Sequence, residues 1–278
     1  MKKTAFISTY YNNAHFIELQ SKCLSKNILD SYDFIVLDDS ENDTKSLLTN
    51  KNSNQEIIEE CKKHGARHIR VPQSIHAYES QGGYVPNHHA STNHPTERHQ
   101  AVLRWLFKNY KTLGLNDYEY MALTDADVFI KKPLKMEEYI EYDVLGTGRT
   151  QAIDLPLGKF PDKMFSSRVK TLNGKTIYFF TFFIMFFNLK TVKNLSEIDV
   201  GSFPGTDTGS QSHFFIQDNK QYVFSFLNEA HDPDVRIDVA SKANKFDFES
   251  AELLHYRAGS NWSYESSDYY KAKLNMML

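Results

Sequence analysis

The 278-residue chain carries 32 Lys and Arg against 35 Asp and Glu, a net charge of −3, and so near-neutral a balance gives no electrostatic case for a nucleic-acid partner. Its length can bury a substantial core, as one large α/β domain or two small ones. Aromatic residues make up 14% of it, with 16 Tyr and 20 Phe, which suits a core packed with rings and sugar binding on rings. The longest apolar run, YFFTFFIMFF at 178–187, is half the roughly twenty residues that a spanning helix needs. The opening MKKTAFISTYYNN reads as a first strand rather than a signal peptide. No integral membrane segment is therefore expected. The two cysteines, Cys23 and Cys61, lie on amphipathic patterns and read as free thiols, which points to a reducing, cytoplasmic setting.

Taken in order, residues 4–9 read as a strand that empties into a polar and aromatic cluster, Tyr10, Tyr11, Asn12 and Asn13. Residues 14–29 place Phe16, Leu19, Cys23, Leu24 and Ile28 at helical spacing, and residues 33–37 form a second buried strand ending in Asp38, Asp39 and Ser40. Strand, helix and strand with acids at the second carboxyl end open a nucleotide-binding α/β unit, in which ligands sit beyond the carboxyl ends of the strands. Thr9, Tyr10 and Tyr11 then lie beside Asp38 and Asp39. A tyrosine there can stack on a base, and a carboxylate can accept from its ring N–H or from ribose. Core packing for the tyrosines and a turn or helix cap for the acids are the competing readings.

Residues 54–63 read as a short helix closed by Gly65, and 67–71 as a third strand. Residues 72–93 are polar and aperiodic, the composition of a lid over an active site. A strong helix follows from Pro95 or Thr96 to about Tyr110. Arg98 in its first turn is placed to reach a donor's phosphate or sugar, with a surface arginine as the plainer alternative.

The strand at 120–123 then runs into Asp125 and Asp127, one residue apart, and continues apolar through Val128, Phe129 and Ile130 before Lys131-Lys132-Pro133. Side chains alternate along an extended segment, so the two carboxylates are expected on one side, able to share a hard divalent ion, Mn²⁺ or Mg²⁺, that keeps positions free for phosphate oxygens. After it come an acidic helix at 135–141, a strand at 143–146, a polar connection at 147–175 and a central aromatic strand at 177–188. The segment 203–209, FPGTDTG, opens a helix holding Phe214, Phe215 and Ile216, for which Thr206 or Asp207 could serve as N-cap. Near the C-terminus Leu253 and Leu254 end a short strand, followed by His255, Gly259 and Trp262. A histidine so placed can return across the sheet to join Asp127 in a metal shell.

Together these pieces resemble the GT-A glycosyltransferases. The segments IST-YYNN and FIVLDDSENDT resemble the opening of the family 2 pattern, and residues 121–130 resemble the DxD strand of the superfamily. The run 183–193 is similar to an acceptor-side strand, and His255 with Gly259 and Trp262 is similar to the C-terminal metal-binding motif of family 8. The glycine that follows Asp-Asp in family 2 is absent here, where Ser40 stands, and Ser260-Asn261 replaces the family 8 Lys-Pro.

The resemblance implies a single α/β GT-A domain over 1–278, with a mixed, mostly parallel sheet flanked by helices. Residues 1–130 would form the nucleotide-sugar half, and 131–278 the acceptor half and the metal-binding tail. It implies a UDP- or GDP-sugar donor, a carbohydrate acceptor and a Mn²⁺ or Mg²⁺ ion held by Asp127 and His255. Asp125 would bind ribose or the metal, and Asp38 or Asp39 the base or ribose, with Thr9 and Tyr11 alongside. Asp207 stands where an inverting enzyme needs its general base, and inversion is the preferred course. A retaining transferase, a sugar-nucleotide pyrophosphorylase and a non-catalytic carbohydrate-binding domain are the alternatives.

Overall fold

A computed structural model describes residues 3–46, 51–76, 95–139, 141–155, 157, 166–203, 206, 208–227, 247–249 and 253–256, the last two segments through their backbone only. The apolar runs near the N-terminus form β1 (Thr4–Tyr10), β2 (Tyr32–Asp38) and, after α2, β3 (Arg67–Arg70). Between them lie α1 (Ile17–Asn27) and α2 (Ser53–Lys63). The side chain of Asn52 caps α2 by accepting from the Gln55 N–H, and Gly65, at φ 68°, turns the chain out of the helix.

After α3 (Pro95–Asn109) come β4 (Tyr120–Asp125), β5 (Val128–Ile130), β6 (Val144–Ala152), α4 (Ser167–Lys170) and β7 (Thr176–Asn188). The remaining elements are α5 (Ser212–Asp218), β8 (Phe224–Leu227), β9 (Asp247–Glu249) and β10 (Leu253–Tyr256). Seven strands form one sheet in the order β3-β2-β1-β4-β7-β6-β8, and β5-β10-β9 form a second. The first four strands and the β6–β8 pair run parallel, while β7 is antiparallel to both of its neighbours. The sheet is thus mixed and mostly parallel, as expected.

Alternation along the central strands makes the two layers. Phe6, Phe34, Val36 and Ala122 pack with the apolar faces of α1 and α2. Their sequence neighbours Ala5, Ile7, Ile35, Leu37, Met121 and Leu123 pack with α3 through Val102, Leu103, Leu106 and Phe107. The largest fully buried side chains are all Phe or Tyr, so much of the aromatic excess fills the core.

Three expectations are corrected. The expected polar connection from residue 147 instead continues as strand, because β6 passes a bulge after Gly146 and pairs through Ala152 with the start of β7. Its Arg-Thr-Gln composition reads as loop because that stretch is only partly covered. The helix expected to open at Thr206 or Asp207 begins at Ser212. Gly209 sits at φ 93°, outside helical space, and the Thr206 hydroxyl bonds the Phe203 carbonyl and Ser210 instead of capping. The Asp-Ala-Asp stretch is not one extended segment either. β4 ends at Asp125, Ala126 and Asp127 form a turn, and β5 carries the chain into the second sheet.

Candidate active site

The parallel strands end together at one edge of the seven-stranded sheet. Register sets Tyr10 beside Asp38 across β1 and β2, and Thr9 beside Asp125 across β1 and β4. Pairing of β4 with β7 stops at Thr124 and Ile184, so Asp125 lies just past the end of that ladder. Here the crevice of an open α/β sheet is expected.

Asp38 is wholly buried. Its Oδ1 accepts from the Ser40 N–H at 2.9 Å and from Arg70 at 2.9 Å, and its Oδ2 from His68 at 2.9 Å and from Asn54. Burial pushes its pKa up, but the bonds from His68 and Ser40 and the charge of Arg70 outweigh that and hold it below its ordinary value. Asp39 is buried too. His76 donates to its Oδ1 at 2.6 Å and Gln73 at 3.3 Å, while Arg98 Nε donates to its Oδ2 at 3.2 Å.

Arg98, only 6% exposed, also bonds the Asp39 carbonyl and Gln73 Oε1 and approaches Glu41 at 3.5 Å. Its guanidinium lies 4.5 Å from the centre of the Tyr11 ring, and the Tyr11 hydroxyl donates to Glu41 at 2.8 Å. Burial first, and then that bond to Glu41, push the Tyr11 hydroxyl up to about 12, with Arg98 acting in the opposite sense. The structure therefore surrounds Asp38, Asp39 and Arg98 with protein partners. Arg98, held by Asp39, backs the half-buried Tyr11.

The other half of the site is the turn between the two sheets. The Asp127 residue is 5% exposed, whereas the Asp125 side chain is 31% exposed and lies 3.3 Å from His99 Nε2 on α3. The backbone of β10 runs antiparallel to β5 and sets His255 opposite Val128, the residue after Asp127. Among the described residues no three His, Cys, Asp or Glu side chains gather as a metal cluster; the His255 side chain is outside them. The two carboxylates at this turn are hard oxygen donors of the kind that Mn²⁺ or Mg²⁺ takes.

Gln20 holds this turn in place. Its amide N–H groups donate to the carbonyls of Asp125 at 2.7 Å and Val128 at 3.0 Å, and its Oε1 accepts from the Tyr10 hydroxyl at 2.7 Å. Sequence reasoning missed Gln20, Glu41 as the partner of Tyr11 and Arg98, and His99, Gln73 and His76 as partners of the acids. A signal for Gln20 existed: with Asn27 it is a polar residue on the buried face of α1 that includes Ile17 and Leu24. Asp207 lies outside the described residues, as do residues 77–94, where a lid was expected.

Fold and site together define an α/β protein with carboxylates gathered at the carboxyl ends of its parallel strands and an acidic turn where the chain passes to the second sheet. No family model and no curated protein sequence matches the chain. Among solved structures it is similar to the galactosyltransferase LgtC in complex with donor and acceptor sugar analogues, at 12% identity and TM-score 0.43 over 97% of this chain and 95% of that one. An active-site mutant of LgtC aligns at 14% identity and TM-score 0.44 over 97% and 95%. The bifunctional glycosyltransferase WbbM aligns at 12% and TM-score 0.39 over 81% of this chain and 39% of that one.

Proposed function

We propose that the protein is a metal-dependent glycosyltransferase that moves a sugar from a UDP- or GDP-sugar to a hydroxyl of a carbohydrate acceptor. The observation that carries this is the turn at Asp125 and Asp127, at the carboxyl end of β4 and at the switch between sheets, with the backbone of His255 in register with Val128 beside it. Asp127 and His255, with Asp125, would hold Mn²⁺ or Mg²⁺. Such an ion, when bound, offsets the charge that builds on a departing diphosphate.

The chain's own residues would do the rest. Tyr11, backed by Arg98 and tethered by Glu41, offers a stiffened ring against which a base can lie. Thr9 and Asp125, side by side at the strand ends, would contact ribose, and Asp125 also a water bound to the metal. Asp39 would fix Arg98 beneath the base, and its remaining acceptor capacity would serve the base or ribose. Asp207 would take the acceptor's proton in an inverting transfer. In a retaining one it would only orient the acceptor. Cys23 and Cys61, both buried and free, with thiols pushed up to about 12 by burial, suit a reducing cytoplasm.

Thermal unfolding with UDP or GDP, each with and without Mn²⁺, tests this on the wild type and on Asp127→Ala. A nucleotide at a hundred times its dissociation constant stabilises by about 2.7 kcal/mol. The expected result is a shift with one nucleotide that needs both Mn²⁺ and Asp127. Absence of any shift in the wild type would overturn the proposal and favour a carbohydrate-binding domain without transfer.

A further inference from the structure

We infer that Gln20 is a positioning residue whose buried side chain sets the spacing of Asp125 and Asp127 for a divalent cation and its nucleotide. This rests on the metal-dependent reading of the same turn.

Both carbonyls that Gln20 bonds belong to the place where the chain leaves one sheet for the other. Asp125 ends the β4 ladder and Val128 begins the β5 ladder, and only Ala126 and Asp127 lie between them. A single amide that grips the residues on either side of Ala126 and Asp127 fixes the ends of a two-residue turn. Small freedom in such a turn becomes large freedom in the direction of its carboxylates, and a metal site tolerates little of that.

The side chain is itself over-determined. Gln20 is 3% exposed, and an unpaired amide there would be costly. Two carbonyl acceptors require the NH₂ group to face the turn, so Oε1 must face Tyr10, and the Tyr10 hydroxyl must be the donor. Tyr10 is 1% exposed and immediately precedes Tyr11. The chain Tyr10–Gln20–turn therefore ties the nucleotide side of the crevice to its acidic side. Two turns along α1, Asn27 donates to the Ile130 carbonyl at 2.6 Å. That bond anchors the far end of β5 and leaves the Asp125–Val128 turn untouched, which makes Asn27 a matched control.

The test is Mn²⁺ titration followed by electron paramagnetic resonance, with saturating UDP or GDP, on wild type, Gln20→Met and Asn27→Leu. Each substitution removes a buried amide from the same helix and lowers the melting temperature. Gln20→Met is expected to weaken Mn²⁺ affinity about tenfold or more, as loss of a residue that orients metal ligands does, while Asn27→Leu leaves it unchanged. If Gln20→Met does not fold, Tyr10→Phe replaces it. Removing the hydroxyl that orients the amide should weaken Mn²⁺ in the same direction but less. Wild-type affinity in the Gln20 or Tyr10 variant, or equal weakening in Asn27→Leu, overturns the role of Gln20 alone. No Mn²⁺ binding to the wild type overturns the metal-dependent reading, and the role of Gln20 falls with it.

Discussion

Asp38 and Asp125 end the two strands that flank β1, yet the structure uses them in opposite ways. Beyond β2, strand β3 and helix α2 bring His68, Arg70 and Asn54 over the Asp38 carboxylate, which is left with no exposure. Beyond β4, the neighbouring ladder has already ended, and the Asp125 side chain stays about a third open. The carboxylate of Asp38 is thus a clamp joining β2, β3 and α2. Asp38→Asn keeps the shape but removes the charge paired with the partly exposed Arg70, so it should cost about 2 kcal/mol. The sign with pH follows from its lowered pKa: the stabilisation is present above the ordinary value of 3.8 and is lost as pH falls from there through the folded-state value. Urea unfolding from about pH 6 to about pH 3 should show the wild type losing more stability than Asp38→Asn. Parallel losses would show that the charge of Asp38 is not what holds these elements.

Strand β7 is the strand of the large sheet that runs antiparallel to both of its neighbours. It slips against β6, where Gly146 faces Met185 but Gly148 faces Phe180. Within the slip Phe182 takes φ 58°, a conformation that bulky residues rarely adopt, and the buried hydroxyl of Thr181 donates to that of Thr147 at 2.8 Å. Gly209 closes against this bulge. A Cβ there would come 2.0 Å from the Phe180 carbonyl oxygen and 2.6 Å from the Phe182 ring, and its own φ is 93°. Since neither the backbone oxygen nor the buried ring can give way cheaply, Gly209→Ala should destabilise by about 2–4 kcal/mol. A denaturant midpoint within error of the wild type would show that the loop has another conformation open to it. These features also show where the sequence stops being legible. Runs such as FISTY, DFIVL and YMALT announce buried parallel strands, and the spacing along 14–29 and 96–110 announces helices. The bulge in β7, the strand character of GRTQA and the late start of α5 depend on partners distant in sequence. The two acids could be found from their place after an apolar strand. The turn between them and the Gln20 grip depend on which sheet each side of the turn joins.

At the scale of the whole molecule the site lies where a large sheet meets a small one. The seven-stranded sheet is covered on both faces by apolar clusters, and β1 and β4 lie well inside it. Among the described residues the second sheet has β5 and β9, of three residues each, on either side of the four-residue β10. With ladders this short among the described residues, β10 should open without unfolding the rest. Native-state hydrogen exchange should then find β10 amides opening at least ~2 kcal/mol more easily than those of β1 and β4, which wait for global unfolding. Binding that joins Asp127 to His255 would bridge the two sheets, and a ligand stabilises whichever state it binds. Adding UDP or GDP with Mn²⁺ should therefore slow exchange in β10 and β5 more than in β1, and His255→Ala should remove that difference. Equal protection of β10 and β1 without ligand would mean that the two sheets open as one cooperative unit. Unchanged β10 exchange on binding would mean that the histidine in register beside the acidic turn takes no part in holding the ion.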